Sequence, residues 1–506
     1  MKATLTVERK IFLFLLAWSV AVLTLMSTDS PLHGPWDRCD SSWFFTSGKA
    51  LMNGMRPYVD FSDSKGPLLW LFYGIGYLLS PRTYHGVWGV SCLLYAGILY
   101  YNYKTARLFL GDGRRSLAVA MVMPFFYFQY WYHDDVRAED FCTLPVAVTL
   151  YHMLRLLTSE RERNPRGEQA GTAARLGLTM GACFMALVLI KWNIALMQGT
   201  MLAVILWYYM RQDYRKVKPF MGWMAAGMAM TALPFAVYLA ARGCLDAFFN
   251  EYFVNTLLTV TPEEGDQETS FMKELAWRLG TPEDLALLLA LLLSGWLVSH
   301  RLPRLRYAPL MAASVFFAAC SHHTLEHYYN ICSVFLIFLP VHALSLKTPP
   351  LKPRFMAVLA ACIIGWGILE NTREDTHLYR VSVWATDTEE ENFNCFSDLI
   401  QGERPRVMFL YGCDYGYGLK SGALPAGKYW SYQKGTTPEM EAEHLRLLQE
   451  GLADYVIVNN KSYCYGRGFG PRQICSYGYE KLCDKMYVDF MGQYATACIY
   501  RRKDLR

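Results

Sequence analysis

Residues 40–68 read DSSWFFTSGKALMNGMRPYVDFSDSKGPL, and the placement of this stretch decides the fold of the whole chain. It is rich in acids and aromatic residues, and it follows an apolar run at 11–27 that three basic residues precede. Because residues 25–27 make a poor signal-peptide cleavage site, we predict an uncleaved first membrane helix. Residues 28–83 then form a long loop beyond the membrane.

The composition excludes several classes of protein. The 506 residues are 53% hydrophobic and only 18% charged, with a mean hydropathy of +0.11. Soluble proteins carry about 25% charged residues, so a disordered chain, a collagen-like fibre and an ordinary cytosolic enzyme are all disfavoured. The net charge is only +5 and no long basic face accompanies it, so we predict no nucleic-acid partner.

Further apolar runs follow the loop, each approaching the roughly 20 residues that cross a bilayer. Together with 11–27 they predict about eleven membrane spans. The later runs lie at 84–103, 116–131, 140–157, 174–191, 194–210, 219–240, 283–300, 307–320, 329–345 and 354–370.

The basic residues test this count. With a cytoplasmic N-terminus, the predicted inner segments hold 22 Lys and Arg in 65 residues, against 10 in 117 for the outer segments before the tail. This asymmetry is the positive-inside bias of membrane proteins. Counting the short run 66–80 as a span would invert every later loop, so we predict a helix lying on or dipping into the outer face. Residues 41–53 predict an interfacial helix with Trp43, Phe44 and Leu51 toward lipid.

The odd number of spans places residues 371–506 outside the membrane. Strand-like runs at 406–411, 455–459 and 497–501, with a helical stretch at 438–450, predict a small α/β domain. Residues 1–370 then form the membrane domain. The tail holds six of the 14 cysteines, and an oxidising compartment would permit pairing, but the sequence leaves open whether any pair forms.

The short outer loop at 133–140 packs ionisable residues between two spans. Ionisable groups at the end of a membrane helix are costly and usually face a watery cavity with partners. A structural alternative stays open, in which Arg137 pairs with Asp135 or Glu139 only to tie two helices. The acids of the long first loop, taken singly, are more typical of a solvated surface: Asp29, Asp37, Asp40, Asp60 and Asp63.

The loop at 321–329 reads SHHTLEHYY and suggests two kinds of site. His323 and His327 are four residues apart, as metal ligands on one helical face would be. The glutamate precedes the second histidine rather than following the first, so the loop does not match the HExxH pattern of zinc proteases. Partners for an anionic lipid phosphate explain these residues better, and a plain interfacial cluster stays open.

Three segments resemble the GT-C glycosyltransferases, which include protein O-mannosyltransferases and the aminoarabinose transferases that modify lipid A. The first is residues 40–60, with an acid soon after the first span and a GxxPYxD-like stretch at 54–60, followed by Ser64-Lys65-Gly66-Pro67-Leu68. The others are the acidic motif at 134–140 and His327-Tyr328-Tyr329. The resemblance covers roughly residues 1–345. It implies a mainly α, polytopic GT-C-like fold in a bacterial inner membrane, with a cytoplasmic N-terminus and a periplasmic α/β C-terminal domain.

Two departures from the family pattern affect the site. Many members carry an Asp-Glu pair where this chain has Asp40-Ser41, so the neighbouring Asp37 competes for the role of Asp40. The spacing to Lys65 favours Asp40. Lys65-Gly66-Pro67 replaces Lys-Pro-Pro, which we expect to affect the start of the following helix more than the chemistry.

The resemblance also implies the reaction. A sugar on a polyprenyl phosphate or diphosphate would pass, with inversion, to a hydroxyl of a glycan, lipid or protein at the outer face, while membrane lipids surround the spans. Asp40 would be the general base, and whether a divalent ion takes part stays open. The other implied site residues are Asp135 and Glu139 as catalytic carboxylates and Lys65, Arg137, His322 and His327 as ligands of the donor phosphate.

Rival interpretations belong to other classes. A lipid-linked glycan ligase or polymerase of another membrane fold would share the donor, but it normally uses a large late loop, and the loop at 321–328 is short. A transporter would need paired halves with broken helices, and the sequence has no inverted repeat. A non-enzymatic sensor would leave the outer acids idle.

Overall fold

The computed structural model describes most of the chain. The predicted spans 307–320 and 354–370, the domain boundary at 370/371, Asp37, Asp135, His322 and the side chain of His327 lie outside the described part. The described residues are 2–27, 29–32, 39–130, 136–158, 169–256, 282–302, 326–345, 396–410, 416, 418–431, 438–460, 470–488 and 494–505.

The membrane part is a bundle of helices, most of them at or near the predicted apolar runs. A 3-10 turn at Tyr214–Lys216 precedes α8, a π-helix at Phe249–Asn255 continues α9, and a 3-10 helix at Glu326–Ile337 leads into α11. The helices are α1 (Lys2–Met26), α2 (Cys39–Met52), α3 (Pro67–Leu79), α4 (His85–Leu110), α5 (Gly113–Tyr130), α6 (Ala138–Thr158), α7 (Gln169–Gln212), α8 (Val217–Ala241), α9 (Leu245–Phe248), α10 (Pro282–Arg301) and α11 (Phe338–Ser345).

Four of the described helices are long and apolar enough to cross a membrane by length and composition: Thr6–Met26, Ala138–Thr158, Ala173–Gln212 and Tyr214–Ala241. The figure of about eleven spans stays a prediction.

Helix α7 is two helices joined by a sharp reversal. The backbone of Lys191 is extended, with φ −153° and ψ 98°. The side-chain amide of Gln198 donates to the carbonyl of Met180 at 3.3 Å. In a straight helix these residues would lie about 27 Å apart. The two arms are therefore antiparallel, which confirms the predicted break between the runs 174–191 and 194–210.

The turns of the bundle gather at two ends. The end of α1, the start of α6 and the reversal of α7 lie together with α2, because Asp29 contacts Val136 and Lys191 contacts Glu139. We call this the α2 end. At the opposite end Arg115, in the first turn of α5, donates to the carbonyl of Leu344 at 3.2 Å.

Helix α3 is too short to span, since 13 residues extend about 20 Å against a bilayer core of about 30 Å. Glycines let it cross α2 closely: a Cβ on Gly48 would lie 2.5 Å from the amide nitrogen of Gly74. The prediction that Trp43 and Phe44 face lipid is wrong, because they are only 8% and 2% exposed within the chain. Trp43 packs edge-to-face on Trp430 in the C-terminal part of the chain, so protein covers this face of α2.

The C-terminal part of the chain contains a five-stranded mixed sheet of order β2-β1-β3-β5-β4. β1 pairs in parallel with β2 and β3, and β5 is antiparallel to β3 and β4. Helices α12 (Pro438–Gln449) and α13 (Pro471–Ser476) accompany it. The strands are β1 (Arg406–Leu410), β2 (Leu424–Pro425), β3 (Tyr455–Asn460), β4 (Tyr479–Val488) and β5 (Tyr494–Arg502).

The predicted strands are β1, β3 and β5, and the predicted helix is α12. The sequence analysis did not predict β4, because its charged residues obscure the alternation of apolar and polar residues. Charged residues are typical of an edge strand, where they prevent pairing with another chain. Among the described cysteines of this part of the chain, Cys475, Cys483 and Cys498 are free thiols. Cys395, Cys413 and Cys464 lie outside the described residues.

Candidate functional site

Asp40 lies in the first turn of α2, at the α2 end of the bundle. Its side chain is half-buried. A carboxylate in this position is stabilised by the partial positive charge of the helix N-terminus.

The segment that precedes α6 forms a hydrogen bond with α2 through the backbone of Val136. Ser41, next to Asp40, donates its hydroxyl to the carbonyl of Val136 at 3.1 Å, and the hydroxyl of Tyr73 donates to the same oxygen. The amide of Val136 donates to the carboxylate of Asp29 at 3.2 Å. Arg137 is therefore held beside the first turn of α2. Asp29 is only 1% exposed, so its interpretation as a solvated acid is wrong.

Asp140 caps helix α6. The amide of Arg137 donates to the carboxylate of Asp140 at 2.8 Å, and the amide of Asp140 donates back to the carbonyl of Arg137 at 3.2 Å. This reciprocal pair satisfies amide groups that a helix start leaves without partners. Arg137 thus has a fixed backbone from which its guanidinium extends.

Glu139 forms a buried ion pair with Lys191 at the reversal of α7. The two side chains are 2% and 11% exposed. The sequence analysis missed this partner because it considered only Arg137 as the cation for Glu139. A lone lysine between two apolar runs was the available signal, since buried charges in a membrane bundle are usually paired.

Lys65 lies on the same side of α2 as Asp40. Its ammonium donates to the hydroxyl of Ser64 at 3.2 Å and lies 5.5 Å from the ring centroid of Phe44. Phe44 follows Asp40 by four residues, one helical turn, so the two occupy the same face of α2. The neighbouring Asp63 is buried, contrary to its interpretation as a solvated acid.

The contact with α7 explains why position 66 is glycine in the Lys65-Gly66-Pro67 segment. The amide of Gly66 donates to the carbonyl of Ile190 at 2.9 Å, in the reversal of α7. A Cβ at Gly66 would lie 2.0 Å from the carbonyl oxygen of Leu189. A proline, as in the family pattern Lys-Pro-Pro, has no amide hydrogen and would also clash. The departure from the family pattern therefore fits the contact with α7.

The structure brings Asp40, Lys65, Arg137 and Glu139 to one end of the bundle through these contacts. His327 falls within the 3-10 helix at Glu326–Ile337. Within the described residues no three His, Cys, Asp or Glu side chains group as a metal site requires. Glu139 contacts the ammonium of Lys191, and Asp140 accepts from the amide of Arg137.

The C-terminal part of the chain contacts the same end of the bundle. Lys428 forms an ion pair with Glu251 of the π-helix, and the hydroxyl of Tyr429 donates to Glu251 at 3.2 Å. Burial alone would lower the pKa of Lys428, but its hydrogen bonds with Glu251 and Tyr429 outweigh burial and raise it. The ammonium of Lys49, near the end of α2, donates to the carbonyl of Gly418 at 2.8 Å.

His444 predicts a pH dependence for this attachment. Its Nε2 lies 2.6 Å from the carbonyl of Tyr429, and burial lowers its pKa from the ordinary 6.5. His444 therefore binds a proton more tightly in the unfolded chain than in the folded one. Neutral His444 contributes its full share to the folding stability above pH 6.5, and this share is lost as the pH falls from 6.5 toward the lowered pKa. Thermal unfolding of the full chain in detergent at pH 7.5 and pH 5 should show a smaller loss for His444→Gln than for the wild type. Equal losses would contradict this assignment.

Two crystal structures of ArnT from Cupriavidus metallidurans resemble this chain over almost its whole length. The structure in the apo state is 13% identical, with a TM-score of 0.59, and the match covers 99% of this chain and 98% of that one. The structure bound to undecaprenyl phosphate is 14% identical, with a TM-score of 0.56 and the same coverage. No protein-family model and no curated protein sequence matches this chain.

At such low identity the likeness bears on the fold alone, and it agrees with the GT-C-like fold that the sequence predicts. It spans both the helical bundle and the C-terminal sheet. The chain therefore has the same overall fold as ArnT.

Proposed function

We propose that this protein is an integral membrane glycosyltransferase that moves a sugar from a polyprenyl-phosphate donor to an acceptor hydroxyl, with inversion at the anomeric carbon. Three contacts support the proposal: Asp40 lies in the first turn of α2, Val136 beside Arg137 accepts from Ser41, and Lys65 lies beside Phe44 one turn further along α2. The fold adds support, since a structure of the same fold, that of ArnT, contains undecaprenyl phosphate.

The chemistry takes place at the outer face of a bacterial inner membrane. The bias of basic residues supports this orientation, because it places the α2 end on the non-cytoplasmic side and the N-terminus in the cytoplasm. A polyprenyl-phosphate donor lies in that leaflet and carries its own leaving group, so the reaction needs no cytoplasmic nucleotide. The domain 371–506 is then periplasmic and covers α2.

Asp40 acts as the general base. An acceptor hydroxyl is a weak nucleophile at neutral pH, and a carboxylate within hydrogen-bond distance takes its proton as the new glycosidic bond forms. One displacement at the anomeric carbon breaks the bond to the phosphate oxygen and inverts the configuration. The acceptor is a hydroxyl of a glycan, lipid or protein.

Lys65 and Arg137 stabilise the phosphate that leaves. Negative charge develops on its oxygens in the transition state, and fixed cations shielded from water meet that charge most effectively. His322 and His327 are proposed as further ligands of the phosphate. Asp135 and Glu139 are proposed to orient these cations, and the pair of Glu139 with Lys191 adds a further cation at this end.

The reaction itself is tested with purified protein and a panel of radiolabelled polyprenyl-phosphate sugars. The radiolabelled sugar should move from at least one donor to an acceptor in a membrane extract. Polyprenyl phosphate should be released, and the anomeric configuration of the product should be opposite to that of the donor. Transfer from nucleotide sugars alone, or a retained configuration, would refute the proposal.

Lys65→Ala is expected to impair use of the donor more than use of the acceptor. A hydrogen bond to a charged group contributes about 1.5–3 kcal/mol, so the KM for the donor should rise by about 10–100-fold. The KM for the acceptor should change little. Steady-state kinetics with each substrate varied in turn measures both constants, and equal effects on the two would exclude a role in phosphate binding.

A further inference from the structure

Tyr58 has a backbone conformation that its residue type rarely adopts. Its φ is 64°, the only positive φ of a non-glycine residue in the described part of the chain. Glycine adopts this left-handed region freely, whereas a Cβ disfavours it. A tyrosine here therefore needs contacts of its side chain that compensate for the backbone, and such outliers concentrate at functional sites.

The side chain of Tyr58 makes those contacts. It is fully buried, and its ring centroid lies 4.7 Å from that of Trp70 and 5.3 Å from that of Phe248. The amide of Tyr58 donates to the carbonyl of Phe61 at 2.7 Å, which closes the turn. The hydroxyl of Tyr58 donates to the carbonyl of Lys65 at 2.9 Å.

The hydroxyl of Tyr58 fixes one side of the peptide unit between Lys65 and Gly66. The other side is fixed too, because the amide of Gly66 donates to the carbonyl of Ile190. Ile190 is itself part of the α7 reversal, where the hydroxyl of Tyr252 donates to the carbonyl of Val188 at 2.6 Å and accepts from the amide of Trp192 at 3.0 Å. The ammonium of Lys65 thus extends from a peptide plane held at both its polar groups.

We infer that Tyr58 is a positioning residue for Lys65: its hydroxyl holds the Lys65 carbonyl so that the ammonium meets the donor phosphate. This inference rests on the proposed function, since it assigns Tyr58 to the same phosphate site. Tyr58 itself does not touch the donor. The position of the Lys65 ammonium matters for the donor and for the transition state. A displacement of a binding group by about 1 Å is sufficient to reduce the rate of an enzymatic reaction substantially.

Tyr58→Phe tests the inference, because it removes only the hydroxyl and keeps the ring and its packing. The KM for the donor should rise about 5–10-fold while the KM for the acceptor stays at the wild-type value. The double variant Tyr58→Phe/Lys65→Ala should be no worse than Lys65→Ala, because residues acting through one contact are not additive. Tyr479→Phe is the matched control, since Tyr479 is also fully buried and donates to a carbonyl, that of Ala453, at 2.8 Å in the C-terminal domain.

The kinetic constants are measured beside thermal unfolding of all four variants in detergent. A purely structural role predicts that Tyr58→Phe and Tyr479→Phe both lower the unfolding midpoint and both keep the wild-type KM for the donor, which would overturn the inference. Independent, multiplying effects of Tyr58→Phe and Lys65→Ala would also overturn it. A wild-type KM for the donor in Lys65→Ala would refute the proposed phosphate site itself, and the inference with it.

Discussion

Asp40→Asn is expected to lower the turnover number for sugar transfer by about 10²–10⁴-fold, the usual contribution of a general base. Asparagine keeps the size of the side chain and removes its ability to take a proton from the acceptor. Because binding of the donor depends on Lys65 and Arg137, the KM for the donor should change little. The turnover number and both KM values are measured with purified protein.

Two further variants make this test specific. Asp112→Asn, at the opposite end of the bundle and paired with Arg115, should keep the wild-type turnover number. Asp37→Asn tests the competing acid of the first loop. Loss of turnover in Asp37→Asn together with wild-type turnover in Asp40→Asn would transfer the role of base to Asp37.

Lys191→Met is expected to have the largest effect on stability. It leaves the carboxylate of Glu139 buried without its cation, and breaking a buried ion pair in this way costs about 3–5 kcal/mol. The reversal of α7 should loosen at the same time, since Lys191 lies at its apex. Equilibrium unfolding in mixed micelles measures the free energy of unfolding.

The double variant Glu139→Gln/Lys191→Met distinguishes a role of the ion pair in stability from a role of Glu139 in catalysis. Removing both charges should restore most of the stability that Lys191→Met loses. If the double variant is no more stable than Lys191→Met, the pair is not the cause of the loss. A stable double variant with the wild-type turnover number would remove Glu139 from the catalytic residues.

The sequence predicted those parts of the fold that local patterns determine. The apolar runs that became α4, α5, α6 and the two arms of α7 have the length and composition of helices, and β1, β3 and β5 have strand patterns. The length of α3 and the break at Lys191 were also predicted, because charge and run length are local properties.

The contacts between distant segments were not predictable from local patterns. Trp43 was assigned to lipid because an aromatic residue beside a membrane helix usually lies at the headgroups, but Trp430, far along the chain, covers it. Glu139 and Lys191 are separated by 52 positions, and no local pattern connects them.

The candidate site was predicted in part for the same reason. Motif resemblance predicted Asp40, Lys65 and Arg137 as site residues, and the structure brings their segments to the same end of the bundle. The burial of Asp29 depends on the backbone of Val136, more than 100 residues away in sequence, so a single-residue reading took it for a solvated acid. The role of Tyr58 becomes visible only in the backbone dihedral angle and in the contact with Lys65.

The central claim is that the cations beside Asp40 hold the phosphate of a polyprenyl lipid, and direct binding tests it without knowledge of the acceptor. The affinities of purified wild type and Lys65→Ala for undecaprenyl phosphate and for undecaprenol are compared in the same detergent. The account predicts that the wild type binds the phosphate at least about 10-fold more tightly than the alcohol, and that Lys65→Ala loses most of this difference. Equal affinities of the wild type for the two lipids would contradict it.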